Sequence, residues 1–430
     1  MSSDEARSLP PAGPRGRPIT VDFEGRRVRA FEGEPLGVAL FADGIRVLGR
    51  SSKYHRPRGL FCLEGHCGSC LLRIDGRPNR RSCLEPVREG LRCERQNAFP
   101  DADVDVLRAA DWLFPQGMDH HRLMTGSRLG NELFLKLVRQ MGGSGVLPDA
   151  PVSEPPPVRD EEVDLCVVGG GPAGLAAAHA AALAHPGSQV LLIDEQDHLG
   201  GSLLAESGGL ERARTMAEQA RQAGVRLWSG ARAIAYYPED RPGDPTGGAS
   251  EGPPGLLAVI TGEGLVRLRA RRYLYATGAY DQNLPFPDSD RAGVLSARGC
   301  GRLVFRWGVR PGRRVLVVAG QPAPLTAMLS EGFAARGIDF VIAGIGRLPR
   351  LDLQRDLVAV DALPAPASEL PRQHGARVDL REAAGGFAVE VDDAGRTSAS
   401  RVRACGDVTG YQGPAAAAAH GASVGARFEP

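Results

Sequence analysis

Little in the sequence points to nucleic acid, a membrane or the cell exterior. The 52 Lys and Arg are balanced by 51 Asp and Glu, so no net field attracts a polyanion or an acidic ligand. The start, MSSDEARSLPPAGPRGRP, has no apolar core of the kind a secretory signal needs. It reads as a disordered lead-in over residues 1–16. No run is long enough to cross a bilayer: the most apolar, Leu175 to Leu183, is Ala-rich and broken by His179, against the roughly 20 apolar residues a span requires. These absences place the chain in the cytoplasm, with no membrane span and no nucleic acid among its partners. The eight cysteines do not form a disulfide framework, which would spread its pairs over a small, Cys-dense chain. Four lie between Cys62 and Cys83, while Cys93, Cys166, Cys300 and Cys405 are scattered. The nine His, including His120-His121, are isolated and read as surface or packing residues, so no catalytic residue is assigned.

What is present divides into segments. At 430 residues the chain exceeds the roughly 100–200 of a usual domain, which predicts two or three. Over residues 17–98, PITVDFEGRRVRAFEG gives two strands turning at Glu24-Gly25, PLGVALFADGIRV a short helix, and LLRIDGRPNR a further strand turning at Asp75-Gly76. A hairpin, one crossing helix and a cysteine loop predict a compact β-grasp module. The Arg-rich stretch from Arg46 to Arg58, with Lys53 and Arg56, reads either as a solvated loop or as part of a site. Residues 99–160 hold helical fragments such as NELFLKLVRQM and then LPDAPVSEPPPVRD, where proline removes amide donors and fixes an extended backbone, a semi-rigid linker. From Asp164 strands alternate with helices, which predicts an α/β fold with a parallel sheet and right-handed crossovers. The expected boundaries are 161–280 with 396–430 for a first dinucleotide-binding domain and 281–395 for a second.

The cysteine spacing is Cys62-x4-Cys67-x2-Cys70-x12-Cys83, with Gly65 and Gly68 inside the loop. A tight loop giving three thiolates and a neighbouring strand giving the fourth is the plant-type arrangement for a [2Fe–2S] cluster. Glycine lets the loop amides approach the cluster sulfurs without a Cβ clash, and such hydrogen bonds help set the potential. The competing reading is a structural zinc, which prefers two paired Cys-x2-Cys knuckles. Cys93 is the rival for the fourth position.

Gly169-Gly170-Gly171-Pro172-Ala173-Gly174 supplies G-x-G-x-x-G between the strand LCVV and a helix. Gly169 permits the turn, Gly171 lets the backbone approach a pyrophosphate, and Gly174 packs helix on strand, with the helix N-terminus facing the phosphates. The next strand, QVLLIDE, ends in Asp194-Glu195, about 25 residues after Gly169, where a carboxylate meets the ribose hydroxyls. Glu195 is favoured over Asp194 from its spacing to Gly200-Gly201. A second strand-loop-helix unit begins at Arg313, but its loop, Gly320-Gln321-Pro322-Ala323-Pro324-Leu325, has Pro322 and Leu325 where glycines belong, so tight NAD(P)H binding there is doubtful. Gly200-Gly201-Ser202-Leu203-Leu204 lacks a cysteine pair, which argues against a disulfide reductase.

The strings GRSSKYHRPRG, QNAFPD, LFPQG, VVGGGPAGLAAA, LIDEQ, YATGAYDQNLPFP, AGVLSARG and CGDVTG, with the cysteine loop, cover most of residues 18–425. In them the chain resembles the α subunit of heterotetrameric sarcosine oxidase and its relatives, the hydrogen cyanide synthase and the proline, hydroxyproline and opine dehydrogenase complexes. The resemblance implies a ferredoxin-like module followed by a flavoprotein fold of the two-dinucleotide type. Thr277-Gly278 is then the crossover into the nicotinamide-type domain, Gly406-Asp407 bring an Asp to the cofactor, and Gly201 and Ser202 join the binding residues. It implies FAD at the Gly169 site, with NAD there as the alternative, FMN shared with a partner, and oxidation of an amine, imino acid or amino acid on a β-type flavoprotein subunit, with small subunits also in the complex. Sarcosine oxidase α subunits carry a large C-terminal folate-binding domain that has no counterpart up to Pro430, so folate chemistry is not expected. Their N-terminal module lacks the cluster ligands, whereas here all four cysteines stand, which moves the expectation toward the dehydrogenase relatives. The competing expectations are a self-sufficient NAD(P)H:acceptor reductase and a scaffold subunit with a purely structural nucleotide.

Overall fold

The computed structural model describes residues 3–429 apart from 53, 99, 110–111, 113–126, 131, 133–155, 239–254 and 349–356. The fragment NELFLKLVRQM, the Pro-rich string, LFPQG, His120-His121 and Lys53 therefore lie wholly or largely outside the described residues. Contacts divide the chain into two compact units, 1–151 with 283–362 and 152–282 with 363–430. Among the described residues no helix is long and apolar enough to cross a membrane.

The first unit opens with the β-grasp module. Pro18–Phe23 and Arg26–Phe31 pair antiparallel about the Glu24-Gly25 turn, and Arg92–Glu94 adds in parallel to the first of them. Leu71–Ile74 and Arg77–Arg81 complete a five-stranded sheet. The strand alternation is that of a sheet with one covered face: Ile19, Val21 and Phe23 are buried, and the helix Leu36–Ala42 packs its wholly buried length there. The lead-in corrects its expectation. Residues 3–16 are held in place: Arg7 forms a buried two-pronged ion pair with Glu34 at 2.8 Å, Ala6 and Leu9 are buried, and Ala12 donates to the Arg306 carbonyl at 3.0 Å. A polar composition concealed this, because the anchoring residue is itself an arginine whose partner is a carboxylate far along the chain.

The same unit contains a four-stranded parallel sheet, in the order Val294–Ser296, Leu357–Asp361, Arg314–Ala319, Asp339–Gly344. Val315 to Val318 and Leu357 to Val360 are all buried, the unbroken apolar pattern of parallel strands covered on both faces.

The second unit is built on a seven-stranded sheet. Arg226–Trp228, Val190–Ile193, Val158–Val168 and Gly264–Tyr275 run parallel in that order, and Val402–Ala404 pairs in parallel with the end of Gly264–Tyr275. Leu256–Thr261 and Arg232–Tyr237 extend it antiparallel. Leu165 and Val167 face the helices Pro172–Ala184 and Pro414–Ala426, while Cys166 and Val168 face Tyr273, Tyr275 and Val402 on the other side. The two helices approach closely because glycines line the contact: a Cβ on Gly421 or Gly425 would stand 2.1 Å from the carbonyl of Ala173 or Ala177. Residues 363–395, expected in the second dinucleotide domain, belong to this unit. Ala365-Pro366 pairs with Ala279-Tyr280, and the hairpin Val378–Arg381 with Gly386–Val389 adds Val389 to its core. That return is a long-range pairing of short strands, which local pattern does not signal.

Candidate functional site: a cysteine loop and a glycine loop

Cys62, Cys67, Cys70 and Cys83 come together around the loop that joins the β-grasp strands. The Cys62 and Cys67 sulfurs are 3.4 Å apart, and the Cys83 thiol lies near enough to Cys62 and Cys70 to shift both, so the four thiols are neighbours. Gly65 and Gly68 hold positive φ at 84° and 65°, which turns loop amides inward. The Glu64 amide reaches the Cys62 sulfur at 3.4 Å, the Ser69 amide faces Cys67 and the Cys83 amide faces Cys70, while the Ser82 hydroxyl donates to the Cys70 carbonyl at 2.9 Å. Hydrogen bonds from Cys67 and Cys83 hold the Cys62 thiol far below its usual range, and the same bond raises Cys67. Donors aimed at sulfur stabilise thiolate, the form that binds iron. Among the described residues no three His, Cys, Asp or Glu close around a single ion position. Four neighbouring thiols are the donor set that a [2Fe–2S] cluster takes. Cys93 sits apart on its strand, its sulfur 3.4 Å from the Asp22 carbonyl, and burial pushes its thiol up to about 12.

The second unit shapes the glycine loop. Gly169 has φ 111°, and a Cβ there would stand 2.3 Å from the Ala276 carbonyl. Gly174 is tighter still, with a Cβ falling 1.8 Å from the Gly169 carbonyl. Gly171 differs: the nearest atom to its Cβ is 3.9 Å away, on Gly201, so the space before it is open. It caps the helix Pro172–Ala184, whose first position is proline and whose leading amides have no partner one turn back. Open space over amides at a helix N-terminus is the cradle a pyrophosphate fits.

Asp194 reaches into that loop, accepting from the Gly170 amide at 2.5 Å and from Gln196 at 2.7 Å. Glu195 turns aside to Arg232 at 2.8 Å. Asp194 thus braces the backbone of the loop, and Glu195, the carboxylate that spacing favours for the ribose, stands beside it paired with Arg232. Both sit at the strand end, and only the side-chain direction separates them. Gly201 (φ 50°) approaches Gly171 and opens the short turn Gly201–Ala205, with Ser202 as its second residue. Thr277 donates to the Ala367 carbonyl at 2.7 Å, and Gly278 follows with φ 75°. Asp407 is buried and accepts from the Gln412 amide at 2.9 Å, while a Cβ on Gly406 would meet Ala173 at 2.5 Å, which seats this segment against the fingerprint helix.

The second glycine loop is occupied from within the protein. Asp361, fully buried at the end of Leu357–Asp361, accepts from the Leu325 amide at 2.9 Å and the Thr326 hydroxyl at 2.7 Å. Its carboxylate lies at the start of the helix Thr326–Ala334, where a phosphate would otherwise sit. Sequence reading missed this residue, since nothing local to Asp361 says which helix it meets. It also missed His55, which is fully buried with its Nδ1 2.8 Å from Asp105, so this His is not isolated. Among the described residues of the Arg46 to Arg58 stretch, three arginines are tied to the rest of the protein. Arg46 donates to the Pro311 carbonyl, Arg50 to the Ala102 and His55 carbonyls, and Arg58 pairs with Asp290 at 3.2 Å.

Comparison with known proteins agrees with both loops. Residues 16–98 match the 2Fe-2S iron-sulfur cluster binding domain family, and residues 164–228 the FAD dependent oxidoreductase family. The fold is that of the L-proline dehydrogenase from P. horikoshii, with a TM-score of 0.70 at 21% identity over 97% of this chain and 74% of that one. The chain is thus an iron–sulfur flavoprotein of the oxidoreductase class, with an N-terminal [2Fe–2S] domain and an FAD-binding α/β fold. The sarcosine oxidase subunit alpha of Rhizobium meliloti (strain 1021) is 30% identical over 87% of this chain and 40% of its own length. The hydrogen cyanide synthase subunit HcnA of Pseudomonas aeruginosa is 40% identical over 18% of this chain and 75% of its own. The chain belongs to the family of sarcosine oxidase α-subunit homologues, and spans about 40% of the length of that R. meliloti relative.

Proposed function

We propose that the chain is the electron-transfer subunit of a multi-subunit oxidoreductase acting on CH–NH or C–N bonds, with an amine, imino acid or amino acid oxidised on a β-type flavoprotein partner. The observation that carries this reading is the group of four neighbouring cysteine thiols in the same polypeptide as an open glycine loop of the FAD type. Flavin and cluster together supply the conversion between two-electron and one-electron transfer. In this reading Cys62, Cys67, Cys70 and Cys83 hold the irons, and their inward amides stabilise the added negative charge. Gly171, Pro172 and Ala173 present the helix N-terminus to the pyrophosphate, with Gly169 and Gly174 making the turn. At the strand end Glu195 faces the ribose and Asp194 braces the loop. Gly201, Ser202, Thr277, Gly278, Gly406 and Asp407 line the remaining length of the cofactor. Partner subunits are in keeping with the relatives, which are themselves named as subunits. A self-sufficient NAD(P)H reductase would need the Gly320 loop, where Asp361 already takes the donors a pyrophosphate requires.

The test is a cofactor inventory followed by reduction. Purified chain is expected to contain FAD together with iron and sulfide in equal amounts. A Cys67→Ser chain loses most of its iron and keeps its flavin. Amine or amino acid reduces the visible chromophores only after a β-type subunit is added. Bleaching by NADH with the chain alone, or full iron in the Cys67→Ser chain, overturns the reading.

A further inference from the structure

Two of the resemblance strings, GRSSKYHRPRG and AGVLSARG, have no part in the cofactor reading, and they meet inside the first unit. The Pro57 carbonyl accepts from the Ala292 amide at 3.1 Å, and the Phe61 carbonyl takes both the amide and the hydroxyl of Ser296 at 3.1 and 3.3 Å. A Cβ on Gly299 would stand 2.1 Å from the Phe61 oxygen, so the two backbones are in direct contact. Three residues on, Arg302 runs into the cysteine loop. Only 2% of its side chain is exposed. One guanidinium nitrogen donates to the Cys62 carbonyl at 3.2 Å and the other lies 2.6 Å from Glu64, whose own amide faces the Cys62 sulfur.

Burying a guanidinium costs desolvation, and an ion pair in its place adds little net stability over an apolar filling. What such a pair does supply is field. Reduction of a cluster adds one negative charge next to Cys62, and charges a few ångströms away in a site of low dielectric act on it strongly. We infer that Arg302 and Glu64 are paired positioning residues that set the reduction potential of the cluster held at Cys62, with Arg302 raising it and Glu64 lowering it. The module is then not an independent ferredoxin, because its potential is fixed by a side chain from residues 283–362. The inference rests on the iron–sulfur reading above.

The test is an EPR-monitored redox titration of the full chain beside its Arg302→Gln, Arg302→Lys and Glu64→Gln variants, with iron content measured for each. In Arg302→Gln the carboxylate is left uncompensated, and the equilibrium constant for reduction falls about tenfold, which is 59 mV for a one-electron couple. In Glu64→Gln it rises by a similar factor, and Arg302→Lys stays near the parent. Loosened packing would move both charge-removing variants the same way, so shifts of one sign, or no shift, overturn the inference. If Arg302→Gln fails to hold iron, Glu64→Gln decides: an unchanged or lowered potential sinks the proposal. A parent chain without iron or EPR signal fails the underlying reading instead, and is told apart by that inventory.

Discussion

At Gly169 and at Gly320 the chain makes the same local move, a parallel strand running into a loop and then a helix, yet one loop is open and the other is closed by the protein itself. Before Gly171 the nearest atom to a Cβ is 3.9 Å away. At the second loop Pro322 and Pro324 have no amides to offer, and the first helical donors are taken by Asp361. A helix N-terminus needs a negative partner, and either a ligand or a side chain can provide it. The difference shows that a βαβ unit can pack with an internal carboxylate at the start of its helix where the other unit leaves open space.

The largest expected effect separates shape from ligand within the first loop. Gly174→Ala places a methyl 1.8 Å from the Gly169 carbonyl and should destabilise the second unit by roughly 3 kcal/mol or more, read by urea unfolding. Gly171→Ala meets no protein atom closer than 3.9 Å and should unfold within about 0.5 kcal/mol of the parent, while flavin content falls about tenfold or more. Equal flavin loss without the difference in stability would break the assignment of roles.

Next in size is an acid response with opposite signs in the two units. His374 stacks on Tyr236 with ring centres 3.5 Å apart, bonds Tyr275 at 3.0 Å, and is pushed down to about 4 by burial. The folded chain keeps this imidazole neutral while the unfolded chain takes up a proton near 6.5. Stability of the second unit is therefore full above 6.5 and declines toward pH 4, by on the order of 2 kcal/mol. His374→Gln should flatten that slope. Burial raises the Asp361 carboxyl instead, so its contribution is full below 3.8 and is lost as pH rises through the higher folded value. Amide exchange in the two units across pH 4 to 7 checks both signs.

The smallest effect is at the closed loop. Asp361→Asn weakens the cap over Leu325 and Thr326 and should cost about 1 kcal/mol in unfolding, with flavin content unchanged and no NADH binding gained by calorimetry. Tight NADH binding in the parent chain would remove the contrast.

Much of the site was legible before any coordinates, and for definable reasons. The four cysteines and the G-x-G-x-x-G run are short-range patterns in which spacing is the chemistry, and the structure brings the four thiols together and leaves the space before Gly171 open. The hairpin turns at Glu24-Gly25 and Asp75-Gly76 were readable because a turn is decided by its own residues. Illegible were arrangements made by distant contact: the anchoring of residues 3–16 through Arg7 and Glu34, and the return of residues 363–395 to the second unit.

By itself the sequence determined which cofactors the chain can hold, since thiolate number and loop glycines are local properties fixed by covalent order. Only the tertiary structure decided what surrounds them: Asp361 over the second loop, and Arg302 beside Cys62 across a separation of 240 residues. Those contacts come from burial of whole segments against one another, and no window of sequence contains both partners.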